Sequence, residues 1–144
     1  MRRAGADNRR SVIARRILVV DDDQLMTDML GQALPDIGYE VSTCACGEEA
    51  LKLLRAGSYD LIILDLAMPG TSGVDLITEI RSERSSTPVM VLSGYVGSLE
   101  ERRLTELGVA AVLRKPAKLK LLVETIEKLL DSGGAAAEPA AEPG

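Results

Sequence analysis

An uninterrupted apolar run, residues 61–64, ends directly in a carboxylate, Asp65. Gly57 and Ser58 precede the run and Gly70 follows it, so it is too short for a helix and predicts a strand buried on both faces. A single acid after a strand is usually a solvated loop residue. Ligands of open parallel sheets, however, bind just beyond the carboxyl ends of the strands, which is where Asp65 would lie.

Three further predicted strands also end in polar side chains. Because the carboxyl ends of parallel strands meet at one edge of a sheet, we expect these side chains to lie close to Asp65. Pro88 is compatible with the start of one of these strands, where a missing N–H costs least. The strands, with the residues that follow them, are 17–20 with Asp21, Asp22 and Asp23; 89–92 with Ser93; and 109–114 with Lys115 and Pro116.

Apolar residues recur at steps of three and four between the strands, which predicts five amphipathic helices. Asp23 is placed to cap the first helix and Gly38 to end it. The fourth helix is the least specified, because Gly94 and Gly97 precede it, and we expect it to be mobile. The expected buried stripes are Leu25, Met26, Met29, Leu30, Ala33, Leu34 and Ile37; Ala50, Leu51, Leu53 and Leu54; Val74, Leu76, Ile77 and Ile80; Leu99, Leu104 and Leu107; and Leu119, Leu122, Val123, Ile126, Leu129 and Leu130.

With a further strand at residues 39–44, strands and helices alternate through five units. This alternation predicts an α/β fold with a parallel sheet and helices on both faces. It covers residues 16–131 of the 144-residue chain, the length of one domain. Residues 1–15 are expected to be a flexible arginine-rich arm, and residues 132–144 a disordered tail of Ala, Glu, Pro and Gly.

Charge and composition exclude several classes of protein. The net charge is −5, and residues 1–16 hold six arginines and one aspartate, so the rest of the chain is strongly acidic and unsuited to nucleic-acid binding. Cys44 and Cys46 are the only cysteines and histidine is absent, which disfavours a zinc site. No apolar run approaches the length of a membrane span. We therefore expect a soluble, cytoplasmic protein without membrane insertion.

The predicted edge has the composition of a phosphoryl-transfer site. Asp21, Asp22 and Asp65 would repel one another, and a hard divalent cation such as Mg²⁺ relieves that repulsion with oxygen ligands. Ser93 would add a hydroxyl donor and Lys115 an ammonium group. Transfer of a phosphoryl group to Asp65 needs this combination of positioning and charge neutralisation.

These residues resemble the receiver domain of bacterial two-component response regulators, over nearly the whole of residues 16–131. The resemblance implies a flavodoxin-like (βα)5 doubly wound sheet in strand order 2-1-3-4-5. It implies that Asp65 is phosphorylated from a phosphohistidine of a histidine kinase or histidine phosphotransfer protein. It also implies Mg²⁺ (or Mn²⁺) on Asp22, Asp65 and the Ala67 carbonyl, with Asp21 reaching the metal mainly through water, and a cis bond before Pro116.

Two positions bear on how such a receiver would signal. Val112, three residues before Lys115, replaces the Tyr or Phe that the family uses as an aromatic switch. Ser93-Gly94-Tyr95 resembles receivers attached to hybrid histidine kinases, which pass phosphate on. We therefore expect a single-domain or hybrid-kinase receiver without a DNA-binding output, a monomer or weak dimer that catalyses only its own phosphorylation and dephosphorylation.

Two alternatives fit parts of the pattern. A haloacid-dehalogenase-like phosphatase would use Asp21 and Asp23 as its Asp-x-Asp pair, with Ser93 and Lys115 in order, but it leaves Asp65 without a role. A pseudo-receiver that only binds partners would lack one of the acids or the lysine, and all are present. Turnover of a phosphate ester would indicate the phosphatase, and a stoichiometric acyl phosphate the receiver.

Overall fold

Five parallel strands form one sheet in the computed structural model, which describes residues 14–68, 70–83, 86–94 and 96–131. Within these residues there are five helices: four connect successive strands and the fifth follows the last strand. The spatial order is β2-β1-β3-β4-β5, which confirms the predicted order and the flavodoxin-like fold. The strands are β1 (Arg16–Val20), β2 (Glu40–Cys44), β3 (Leu61–Leu64), β4 (Val89–Ser93) and β5 (Ala111–Arg114), and the helices are α1 (Gln24–Asp36), α2 (Gly47–Ala56), α3 (Gly73–Glu83), α4 (Ser98–Glu106) and α5 (Leu119–Asp131).

The central strands are buried on both faces because successive side chains point to opposite sides of the sheet. Leu18 and Ile62 face one apolar cluster, while Ile17 and Ile63 face the other. The first cluster is completed by α2, α3 and α4, and the second by α1 and α5. This two-sided burial explains why β1 and β3 are continuous apolar runs and confirms helices on both faces.

Four leucine or isoleucine positions of the predicted stripes are exposed instead of buried, among them Leu119, which begins α5 and is 37% exposed. Leu25 is 82% exposed, since at 3.6 residues per turn it faces away from Met26 and Thr27, both of which are buried. Leu99 is 77% exposed for the same reason, because it lies about 140° around α4 from the buried Leu104. Ile37 is half-exposed because α1 has already ended.

The ends of α1 follow the sequence prediction. The backbone N–H of Leu25 donates to Oδ1 of Asp23 over 3.1 Å, so Asp23 caps the helix. Gly38 follows the helix with φ of +104°, a conformation that favours glycine. The short antiparallel ribbon between Ala67–Met68 and Thr71–Ser72 was not predicted.

A guanidinium group joins α3 to the end of α4. Arg81 donates to the carbonyl oxygens of Thr87, Leu107 and Gly108 over 2.7, 2.8 and 3.2 Å. These carbonyls lie before β4 and after α4, where helix and strand hydrogen bonds no longer satisfy them. Arg81 therefore anchors the end of α4 farther from the carboxyl edge of the sheet.

Several sequence predictions lie wholly or partly outside the described residues. They concern residues 1–13 of the arginine-rich arm, the tail at 132–144, and Tyr95. Arg15, the last residue of that arm, is described and donates to the Leu130 carbonyl over 2.9 Å. Among the described residues, no helix has the length and apolar character needed to cross a bilayer.

Candidate functional site at the carboxyl edge of the sheet

Backbone hydrogen bonds continue past the strand ends and fix the positions of the site residues. The N–H of Asp21 donates to the Cys44 carbonyl, and the N–H of Asp65 donates to the Val20 carbonyl, each over 3.0 Å. At the other side, the N–H of Lys115 donates to the Ser93 carbonyl over 2.8 Å. The predicted convergence of four strand ends is therefore built into the sheet register.

Three carboxylates come together at this edge. Oxygen atoms of Asp21, Asp22 and Asp65 lie within 4.8 Å of one another, and we call these three residues the acidic edge. Asp21 and Asp65 are buried, whereas Asp22 is exposed. An all-oxygen set with one solvent-facing member suits a hard cation that retains water ligands.

Backbone donors occupy one oxygen of each buried acid. Oδ1 of Asp21 accepts from the N–H of Asp23 over 2.9 Å, and Oδ1 of Asp65 accepts from the N–H of Ala67 over 3.0 Å. Oδ2 of each acid instead faces Lys115. The two carboxylates are thus fixed in orientation, and the oxygen of each that has no backbone donor is the one that faces Lys115.

Lys115 reaches the centre of the site. Its Nζ lies 2.9 Å from Oδ2 of Asp21 and 3.1 Å from Oδ2 of Asp65. Burial lowers the pKa of Lys115, but the hydrogen bonds to Asp21 and Asp65 and the charges of these two acids together outweigh burial and raise the pKa above its ordinary value. Burial raises the pKa of Asp21, and the Asp23 N–H and Lys115 only partly offset that effect. The ammonium therefore stays charged and balances part of the acidic edge.

Ser93 carries a buried hydroxyl group without a partner. Its side chain is 0% exposed, and its Oγ is the only buried side-chain polar atom of the described residues that lacks a hydrogen bond. Unsatisfied buried hydroxyl groups are costly and uncommon. Ser93 ends β4 and its carbonyl accepts from the Lys115 N–H, so this unpartnered hydroxyl belongs to the same edge of the sheet.

The remaining predicted site positions are also described. Ala67 is exposed and follows Asp65 by two residues. The Lys115–Pro116 bond is cis, as predicted. Val112 pairs with Val91 in the sheet and is 38% exposed. It borders an open groove of about 830 Å³ against α4, which Leu99 and Leu104 also line.

Two features of the site were missed by sequence reasoning. First, Oδ2 of Asp23 lies 3.7 Å from Nζ of Lys115. The receiver interpretation of the sequence predicts for Asp23 only the role of a helix cap. Second, Gly73 begins α3 where a loop was expected, and a Cβ there would lie 2.5 Å from Cα of Leu66. The glycine in Thr71-Ser72-Gly73 was the available signal for this close approach.

The phosphatase alternative gains no support from Asp23. The cation-competent group contains Asp21, Asp22 and Asp65, whereas the Asp23 carboxylate caps α1 and faces Lys115. Asp65, which that alternative leaves without a role, lies at the centre of the site.

Comparison with curated proteins gives regulators that are longer than this chain. The DNA-binding transcriptional regulator NtrC of Azospirillum brasilense is 36% identical over 119 residues, which are 83% of this chain and 25% of that protein. The regulatory protein VanRB of Enterococcus faecalis is 31% identical over 123 residues, 85% of this chain and 56% of that protein. The chain thus spans between a quarter and just over half of these relatives.

Solved structures match over nearly their full length. A CheY-like receiver domain protein from Methanospirillum hungatei has a TM-score of 0.81 and 28% identity, covering 85% of this chain and 98% of that one. The response regulator TrrA of Thermotoga maritima, solved in complex with Mg(2+)-BeF, has a TM-score of 0.70 and 37% identity, covering 80% and 98%. The family model for the response regulator receiver domain matches residues 17–127. The chain therefore belongs to the response regulator receiver domain family of two-component systems.

Proposed function

We propose that the chain is a phosphoacceptor in a two-component phosphorelay, in which Asp65 accepts a phosphoryl group from a phosphohistidine. The donor would be a histidine kinase or a histidine phosphotransfer protein. The observation that carries the proposal is the acidic edge, with its oxygens within 4.8 Å and Lys115 Nζ 3.1 Å from Asp65. Receiver domains pair with histidine kinases in general, and membership of that family supports the same role here.

Asp65 is the nucleophile in this proposal. The Ala67 N–H holds its Oδ1, so the carboxylate is oriented before the donor arrives. A carboxylate oxygen bonds to phosphorus while the phosphorus–nitrogen bond of the phosphohistidine breaks, and the bonding electron pair returns to the imidazole. Lys115 offsets negative charge on the transferring group.

The chain's own residues fit a divalent cation. Asp21, Asp22, Asp65 and the Ala67 carbonyl would hold Mg²⁺ or Mn²⁺, since all four offer oxygen and one acid is solvent-facing. When bound, that cation would neutralise phosphoryl oxygens beside Asp65. The crystallised complex of TrrA with Mg(2+)-BeF supports the assignment by similarity.

Ser93 would donate its hydroxyl hydrogen to an oxygen of the phosphoryl group on Asp65. Its Oγ has no partner in the protein, so it gains a hydrogen bond without losing one. The Ser93 hydroxyl would therefore be satisfied only in the phosphorylated state, which links the chemistry to the position of β4.

Partner recognition is assigned to the exposed face of α1. Gln24, Asp28 and Gly31 lie on this face, and Leu25 adds an exposed apolar side chain that was expected to be buried. The sequence pattern also places Thr27 between the expected stripe positions of α1 and so on this surface, but it is buried and its hydroxyl donates to the Gln24 carbonyl. The surface would dock a partner helix that carries the phosphohistidine.

The output proposed is a relay or sink. The acidic composition disfavours DNA contact by this domain, and the DNA-binding activity in the name of NtrC is not carried over because the match covers 25% of that protein. Val112 offers no ring to rearrange, which favours little change in oligomeric state on phosphorylation. We further propose a cytoplasmic monomer or weak dimer that has no catalytic turnover beyond its own phosphorylation and dephosphorylation.

Transfer from a phosphohistidine protein tests the proposed function. A stoichiometric, Mg²⁺-dependent, hydroxylamine-labile phosphate on the chain is expected, without continuous release from a phosphate ester. Gly31→Arg should slow this transfer while sparing a small phosphodonor, because a side chain at Gly31 meets nothing within 4 Å in the fold. Sustained ester hydrolysis without stoichiometric labelling would instead support the phosphatase.

A further inference from the structure

We propose that Asp23 is a positioning residue that keeps the Lys115 ammonium beside Asp65 when a divalent cation occupies the acidic edge. This inference rests on the proposed function, since it assumes that cation. It assigns a role to Asp23, the third acid of the Asp21-Asp22-Asp23 run. Asp23 does not belong to the acidic edge.

Three carboxylates face the same ammonium at different distances. Nζ of Lys115 lies 2.9 Å from Asp21, 3.1 Å from Asp65 and 3.7 Å from Asp23, each measured to Oδ2. The side chain of Lys115 is 18% exposed, so water replaces a lost partner only in part. In the state described, the two nearer acids hold the ammonium and Asp23 is the third, more distant partner.

A bound cation would compete with Lys115 for its two nearer partners. Oδ1 of Asp21 and Oδ1 of Asp65 already accept backbone N–H groups. Each Oδ2 carries no backbone donor and faces the ammonium, so a cation that binds it directly or through water would weaken its contact with Lys115. The cation would also repel the ammonium at short range.

Asp23 escapes this competition. Its Oδ1 accepts from the Leu25 N–H at the start of α1, which holds the carboxylate in place and leaves Oδ2 directed at Lys115. Its backbone N–H also donates to Asp21, so the residue is fixed from both sides. Asp23 is thus a carboxylate beside Lys115 that a cation on the acidic edge would leave available.

Asp23 would therefore affect the position of the Lys115 ammonium only when a divalent cation occupies the acidic edge. Without a cation, Asp21 and Asp65 hold the ammonium whether or not Asp23 is charged. With a cation bound, loss of the Asp23 charge would release Lys115 toward solvent, away from the place where the phosphoryl group arrives. A purely structural role for Asp23 as a helix cap predicts no such dependence on the cation.

The test uses Asp23→Asn, because asparagine caps a helix as well as aspartate but lacks the charge. Asp23→Ser, which also caps, is a second variant, and Asp36→Asn at the exposed end of α1 is the control for the same change in net charge. The whole chain is acetylated at limiting reagent with and without saturating Mg²⁺, and the rate at Lys115 is measured by peptide mass spectrometry relative to exposed Lys120. Backbone amide shifts establish Mg²⁺ saturation for each variant.

Without Mg²⁺ the expected rates at Lys115 are equal in all four proteins. With Mg²⁺ we expect Lys115 to be acetylated about two- to fivefold faster in both Asp23 variants than in the wild type and in Asp36→Asn. This factor corresponds to the free energy of a partly exposed ion pair. Equal rates in all proteins at demonstrated saturation would overturn the role of Asp23 and leave the proposed function intact. A wild-type chain that shows no Mg²⁺-dependent shift at the acidic edge would overturn the proposed cation site and this inference together.

Discussion

Nζ of Lys115 and Oδ2 of Asp65 lie 3.1 Å apart, although 50 positions separate the two residues in the chain. Parallel strands bring them together: Asp65 follows β3, β4 lies between, and Lys115 follows β5. The contact places a cation of the protein's own beside the proposed phosphoacceptor before any ligand binds.

Removing this ammonium should destabilise the fold. Lys115→Met keeps most of the apolar stem but leaves two buried carboxylates without their shared partner. We expect the free energy of unfolding, measured in urea at pH 7 without divalent cations, to fall by about 1–3 kcal/mol. Lys118→Met changes an exposed lysine nearby and should have little effect. Equal losses in the two variants would mean that the buried pairs contribute nothing specific.

Divalent cations should stabilise the native state. Mg²⁺ at about a hundredfold excess over its dissociation constant should add about 2.7 kcal/mol to the free energy of unfolding, because the unfolded chain lacks the acidic edge. Asp22→Asn should reduce this gain and Asp36→Asn should preserve it, as monitored by thermal melts with and without Mg²⁺. A melting temperature indifferent to Mg²⁺ in the wild type would argue against the cation site.

Arg81 should contribute to stability through its three carbonyl partners. Arg81→Ala leaves the carbonyls of Thr87, Leu107 and Gly108 without their donor, and we expect a loss of about 1–3 kcal/mol in urea unfolding. Hydrogen exchange should rise in residues 107–110. Arg103→Ala removes an exposed arginine whose ion pair with Glu106 spans 3.9 Å, and should change stability by about 0.5 kcal/mol or less. Similar effects of both substitutions would contradict the anchoring role.

The two thiols should differ strongly in reactivity. Cys46 is exposed, whereas Cys44 is buried and burial raises its pKa from 9.0 to about 12. A disulfide reagent at pH 8 should therefore modify Cys46 rapidly, and Cys46→Ser should remove the rapid phase of the reaction. Because Cys44 would ionise near 9.0 in the unfolded chain, its contribution to stability should fall as pH rises from about 9 toward 12. Rapid modification of two thiols in the native protein would contradict the burial of Cys44.

Phosphorylation should produce a response centred on residues 93–107, with little change in oligomeric state. Val112 is short and β-branched, so it cannot bury or expose a large area when Ser93 engages a phosphoryl group. Val112→Tyr should enlarge the response, since the groove beside α4 offers space for a ring. Hydrogen exchange with and without a phosphoryl mimic measures the change. A dimer driven by phosphorylation through α4 and α5 would contradict the relay proposal.

The strand order is a non-local property, and its prediction came from the resemblance to receiver domains. The meeting of the strand ends was predictable, because apolar runs and the residues directly after them are local in sequence. The caps at Asp23 and Gly38 were predictable for the same reason. Exposure of Leu25 and Leu99 was not, since both leucines match a helical stripe and only the direction of the sheet shows which side of the helix is buried. The three carbonyl partners of Arg81 and the approach of Asp23 to Lys115 depend on tertiary placement, which no single segment encodes.

The most direct test of the central claim is the intact mass of the chain after incubation with a small phosphodonor and Mg²⁺. We expect a gain of one phosphoryl group in the wild type and in Asp36→Asn, and no gain in Asp65→Asn or in the wild type with a chelator. An undiminished gain in Asp65→Asn would show that Asp65 is not the phosphoacceptor.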